Sequence, residues 1–177
     1  MQKIDKILVG THNKGKFIEI SDLLPKKVEK ISPINLDIES PVENGKTFEE
    51  NSEIKANFFC EKSNLVTLSD DSGLEVDVLD GRPGIYSARY AKTNDEKIKK
   101  LINELSDSPY RSARFISCMV LCDPSGNLVK DTTGICWGEI LKNPKYPNGE
   151  FESIFWVKES NCAVSYTHLT LPTNSSV

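Results

Sequence analysis

The apolar triplet Ile7-Leu8-Val9 runs directly into Gly10, and Gly15-Lys16 then opens a stretch with helical spacing. A short buried strand turning through small residues into a helix is the unit from which alternating strand–helix chains are built. Phe17, Ile20, Leu23 and Leu24 give the expected helix one apolar face, ended before Pro25. "KVEKISPI" alternates as a second strand, followed by irregular chain to Gly45. Thr47 and Glu50 have the spacing of a capping box, opening a helix that carries Phe48, Ile54, Phe58 and Phe59. "NLVTLSDDSG" reads as a strand running into a turn, "LEVDVL" as an alternating strand, and "DGRPGIYSARYA" as a Gly/Pro-rich loop. Thr93 and Glu96 form a second capping box before "NDEKIKKLINEL". "ARFISCMVLCD" and "LVKDTTGICWGEI", joined by "PSGN", form a hairpin, and "EFESIFWV" is a last strand. Alternation first and a hairpin later predict an α/β fold, a mixed sheet flanked by helices.

At 177 residues the chain can bury a sizeable core as one domain or as two small lobes sharing a sheet. With 38% hydrophobic and 27% charged residues it is expected to be a soluble globular protein. The net charge is −4 and no run of Lys and Arg suggests a nucleic-acid groove, so nucleic acid is not an expected partner. No apolar run approaches the roughly 20 residues that span a bilayer, and "MQKIDKILVG" lacks signal-peptide anatomy, so no membrane association is expected. Five cysteines without a C-x-x-C pair read as reduced thiols of a cytoplasmic protein. With only His12 and His168, zinc sites and histidine-base schemes are nearly excluded, including a serine-protease reading of Ser72-Gly73.

The last residues, "VSYTHLTLPTNSSV", carry no charged side chain, unlike the rest of the chain. One choice of synonymous codons for SYTHLTLPT resembles the end of a transposon-derived sequencing adapter. Residues 164–177 are therefore expected to be a non-native tail, and His168 with them. Residues 1–163 are expected to form the domain, incomplete at its C-terminus.

Gly10, four residues, and Gly15-Lys16 nearly spell the phosphate loop G-x-x-x-x-G-K-[ST], but Phe17 stands where a metal-holding hydroxyl belongs. Backbone N–H groups at the start of a helix, with Asn13, Lys14 and Lys16 beside them, favour a phosphate group, although on spacing alone a plain strand-to-helix turn with two solvated lysines suits the same residues. A magnesium ion there would need oxygen ligands from elsewhere, typically one or two carboxylates with phosphate and water. Asp70 and Asp71 of "SDDSG", at the end of an apolar strand, are the candidates, although Asp70-Asp71-Ser72-Gly73 also suits a polar turn. By spacing alone Glu43 is a surface acid and Lys55 a solvated lysine.

Taken in order, Thr11 to Lys16, "ENGKTFEENSEIKA", "SDDSGLEVDVLDGRPGIYSARYA" and "RSARF" resemble the inosine triphosphate pyrophosphatase family from Ile4 to about Gly138. The resemblance implies two lobes with a central cleft, usually in a homodimer. It also implies magnesium-dependent hydrolysis of non-standard purine nucleoside triphosphates (ITP, dITP, XTP) to the monophosphate and pyrophosphate. Thr11, His12, Asn13, Lys14, Gly15 and Lys16 match the segment that contacts the substrate phosphates, Lys55 the lysine reaching the triphosphate, and Ser72 a substrate contact. Glu43 and Asp71 match metal ligands, with Asp71 also the proton acceptor.

The C-terminal region departs from that pattern. "NGEFESIFWV" stands where the family has G-F-G-Y-D-P-x-F, and the later T-x-A-E and S-H-R motifs are absent. No residue is therefore assigned to reading the base, and the chain as written is expected to be unstable or inactive, although its parent gene is expected to encode the enzyme. A related pyrophosphatase with another base preference, or a catalytically silent nucleotide-binding module, would share the same loop and carboxylates.

Overall fold

The computed structural model describes residues 4–158 and the backbone of 162–163. Its main elements are β1 (Lys6–Val9), α1 (Lys14–Leu23), β2 (Glu29–Ile31), α2 (Phe48–Ser63), β3 (Thr67–Val76), α3 (Asn94–Leu105), β4 (Ser112–Cys122), β5 (Leu128–Ile140), β6 (Phe155–Val157) and β7 (Cys162–Ala163). The strands form one sheet in the order β2-β1-β3-β4-β5-β6-β7. β1 pairs in parallel with β2 and with β3, whereas β5–β6 and β6–β7 are antiparallel, so the sheet is mixed as expected. His168 and the segment expected to be a tail lie outside the described residues.

The chain divides into two compact units, 1–71 with 117–133, and 72–116 with 134–177. In the first, Ile7, Leu8 and Val9 are all buried, as suits a strand with neighbours on both sides. Ala56 and Cys60 of α2 pack with Val120 and Cys122 of β4. The α2 start is capped by Thr47, whose hydroxyl accepts from the Glu50 N–H at 3.1 Å. Glu50 does not close the expected box on Thr47; its carboxylate accepts from the Lys46 N–H instead. On α1 only Ile20 of the expected apolar face is buried, and Leu23 is largely exposed.

The second unit has its own core, in which Ile98, Leu101 and Leu105 of α3 meet Leu74, Val76, Ile140, Ile154 and Phe155. Those three helix positions, spaced by three and four, are the apolar stripe the sequence displays. Thr93 and Glu96 make the full capping box.

Two expected strands are corrected as well. The "SDDSG" stretch is not a turn: β3 runs unbroken from Thr67 to Val76, then enters a 3-10 turn at Asp77–Leu79. "EFESIFWV" is only half a strand, because Phe151–Ile154 form a 3-10 turn before β6. Phe151 and Ile154 are both buried, and their spacing of three suits a 3-10 turn, where i and i+3 eclipse.

Gly10 sets how closely β1 and β3 approach beside the loop. Its N–H donates to the Leu68 carbonyl at 2.8 Å. A Cβ there would collide with the Ser69 hydroxyl and lie 2.8 Å from the Phe59 ring. Gly10→Ala is expected to cost about 1–3 kcal/mol, the usual penalty for overpacking. A thermal melt equal to that of the parent protein would count against this reading.

Candidate active site

The site is built at the carboxyl end of the parallel strands, where α/β sheets hold ligands. Val9, the last residue of β1, pairs with Leu68, so Asp70 and Asp71 extend β3 past the end of β1, beside the turn that follows Gly10. In that turn the Asn13 side chain accepts from the Lys16 N–H at 3.1 Å, and the Asn13 carbonyl accepts from the Phe17 N–H at 2.9 Å. The Thr11 hydroxyl accepts from the Asn13 N–H at 3.2 Å. The first turn of α1 is thereby held with the Lys14 and Gly15 amides at its mouth, where a helix favours anions.

Adjacent residues of a strand point to opposite faces, so Asp70 and Asp71 meet different partners. Lys16 donates to Asp70 at 2.7 Å. Burial, the largest single influence on Lys16, pulls its pKa down, but Asp70, Asp71 and Glu43 together push it above the ordinary lysine value. Its ammonium is therefore fixed as a cation. Asp71 faces α2, where Asn51 Nδ2 donates to Oδ2 at 3.1 Å and Lys55 Nζ lies 3.5 Å from Oδ1. The same Lys55 ammonium is 3.4 Å from Glu43 Oε1. Burial raises the Asp71 pKa, with Lys55, Asn51 and Lys16 opposing it and Glu43 reinforcing it.

Asn51 and Lys55, four apart, share one face of α2. The fully buried Asn51 also accepts from the Gly45 N–H at 2.9 Å. A Cβ on Gly45 would press on Glu50 and Asn51, so glycine lets the segment after Glu43 pass close to the start of α2. Asn51 is the site residue that sequence reasoning missed; a polar residue in a helix turn gives no sign of being buried.

Thr11, Asn13, Gly15, Lys16, Glu43, Lys55 and Asp71 thus all belong to one unit and, Gly15 apart, hold one another by hydrogen bonds or ion pairs. Lys14 lies in the same turn. Ser72 lies on the opposite face of β3 from Asp71, on the side of Asp70. His12 sits in the loop, but both of its ring nitrogens are engaged by the 38–40 segment.

An α/β sheet whose first strand-to-helix turn sets Lys16 against the buried Asp70, with Lys55 of α2 between Glu43 and Asp71, defines a class of site fit for a polyanion together with a hard cation. The Ham1 family model matches residues 7–174. A dITP/XTP pyrophosphatase of Mannheimia succiniciproducens is 43% identical over 170 residues, covering 89% of this chain and 84% of that protein. One of Oceanobacillus iheyensis is 42% identical over 163 residues, covering 87% and 82%. Among solved structures, a HAM1 protein from Coxiella burnetii superposes with a TM-score of 0.83 at 29% identity, covering 94% of this chain and 88% of that one. The chain belongs to the Ham1 family.

Proposed function

We propose that this chain hydrolyses non-standard purine nucleoside triphosphates (ITP, dITP, XTP) to the monophosphate and pyrophosphate, with magnesium, as a cytoplasmic homodimer. The observation that carries the reading is Lys55, whose ammonium draws Glu43 and Asp71 to one point, while Lys16, in the first turn of α1, pairs with the neighbouring Asp70. The curated relatives named dITP/XTP pyrophosphatase support the substrate class. The dimer rests on the family resemblance, and the cytoplasmic location on the reading of the five cysteines as reduced thiols.

The donor set fits magnesium. Glu43 and Asp71 offer hard oxygen ligands, and magnesium commonly takes one or two carboxylates and completes its shell with substrate phosphate and water. Among the described residues there is no cluster of three or more His, Cys, Asp or Glu that would form an all-protein cage. When bound, the ion would neutralise charge on the phosphate oxygens.

The chain's own residues would do the remainder. Lys14, Lys16 and the loop amides bind the polyphosphate, offsetting charge where it grows in the transition state. Lys55 keeps Glu43 and Asp71 together despite their repulsion. Asp71 accepts a proton from the attacking water as its oxygen bonds to phosphorus. The bridging P–O bond between the α and β phosphates breaks, and pyrophosphate leaves. Most of the rate comes from positioning and charge.

The test is pyrophosphate release from ITP, dITP and XTP set against ATP, GTP, CTP and dUTP. The expected result is pyrophosphate, not orthophosphate, with kcat/KM for the three named substrates higher by about tenfold or more. Orthophosphate as the first product, or substrate bound without turnover, would overturn the reading.

A further inference from the structure

Glu43 sits in the irregular chain between the 3-10 turn Pro33–Leu36 and α2, so no regular element fixes it. Two side chains pin that segment on either side. Downstream, Asn51 holds the Gly45 N–H at 2.9 Å. Upstream, the His12 ring holds two points at once. Nε2 is 2.9 Å from the Ile38 carbonyl, which can only accept, so Nε2 carries the proton. In the neutral ring Nδ1 then accepts from the Ser40 hydroxyl at 2.7 Å. The ring also lies against Phe59, centroid to centroid 6.0 Å, which limits its swing. Between the pins Val42 is 82% exposed and supplies no packing.

We propose that His12 is a positioning residue: by joining the phosphate loop to the 38–40 backbone, it sets where Glu43 meets Lys55 and the divalent ion. This rests on the hydrolase reading for its consequence in turnover, but not for its structural content. Phosphate bound at the loop and metal bound at Glu43 are then coupled through one imidazole. The family resemblance matches His12 to the segment that contacts the phosphates; its ring nitrogens are committed to the neighbouring segment.

The test uses His12→Phe, which keeps a flat ring against Phe59 and removes both hydrogen bonds, and Ser40→Ala, which removes one. In metal-free, substrate-free protein, amide hydrogen exchange over residues 39–44 is expected to speed by about tenfold in His12→Phe and less in Ser40→Ala, with α2 and β3 unchanged. The magnesium concentration giving half-maximal pyrophosphate release should rise by about tenfold, the usual scale for losing a group that orients a metal ligand. Turnover at saturating magnesium should fall by a smaller factor. The double variant should match His12→Phe alone, because Ser40 acts through the ring. Unchanged exchange at 39–44, or an increase spread evenly over α2 and β3, would overturn the proposal. If His12→Phe does not fold, Ser40→Ala decides it by the same two readouts. A parent protein that releases no pyrophosphate would sink the hydrolase reading alone, since the exchange measurement still judges the role of His12.

Discussion

Asp71→Asn is expected to lower the turnover of pyrophosphate release by at least about two orders of magnitude, the scale of losing a general base or a main electrostatic contribution. The substitution keeps the size of the side chain, and its remaining oxygen can still accept from Asn51 Nδ2, which sits 3.1 Å from Oδ2. What disappears is the negative charge facing Lys55 and the ability to take a proton from water. A folded Asp71→Asn protein with near-normal turnover would refute the assignment. Circular dichroism and a thermal melt alongside the assay separate lost chemistry from lost structure.

The second large effect is expected at Lys55. Its side chain is only 12% exposed and its ammonium lies 3.4 Å from Glu43 and 3.5 Å from Asp71. Lys55→Met keeps most of the stem and removes the charge, leaving two carboxylates facing each other. Pyrophosphatase kcat/KM is expected to fall by about 10²–10³, in the range seen when one preorganised charge is removed from a site. The same variant should gain more thermal stability from added magnesium than the parent does, because a divalent ion would then relieve the repulsion Lys55 relieves now. Equal stabilisation of the two proteins would show that Glu43 and Asp71 do not share a cation site. A Lys55→Met enzyme with parental kcat/KM would remove Lys55 from the mechanism.

Both predictions concern residues whose chemistry was only partly legible in the chain. The loop from Thr11 to Lys16 was visible as a strand-to-helix turn with lysines at a helix start, a pattern that equally suits two solvated lysines; only the family resemblance made it a phosphate contact. Asp70 and Asp71 were visible as a pair but misread in shape. Asp, Ser and Gly favour turns, yet "SDDSG" lies inside the unbroken strand β3, Thr67–Val76, in the middle of the sheet, and is extended. The correction matters for chemistry: an extended backbone sends the two carboxylates to opposite faces, one to Lys16 and one to Lys55. Glu43 and Lys55 drew attention only through the family resemblance, and Asn51 drew none.

Local signals determined by the sequence alone include the buried triplet of β1, the stripe of α3, the caps at Thr47 and Thr93, and the hairpin of β4 and β5. Each depends on residues within a few positions of one another, where period and hydrogen-bonding type suffice. Only the tertiary structure decided which polar groups meet. Lys16 reaches Asp70 across 54 positions, Asn51 reaches Asp71 across 20, and His12 reaches Ile38 across 26. Those partners are chosen by sheet order and by the close approach that Gly10 and Gly45 permit, quantities that no short window of residues contains.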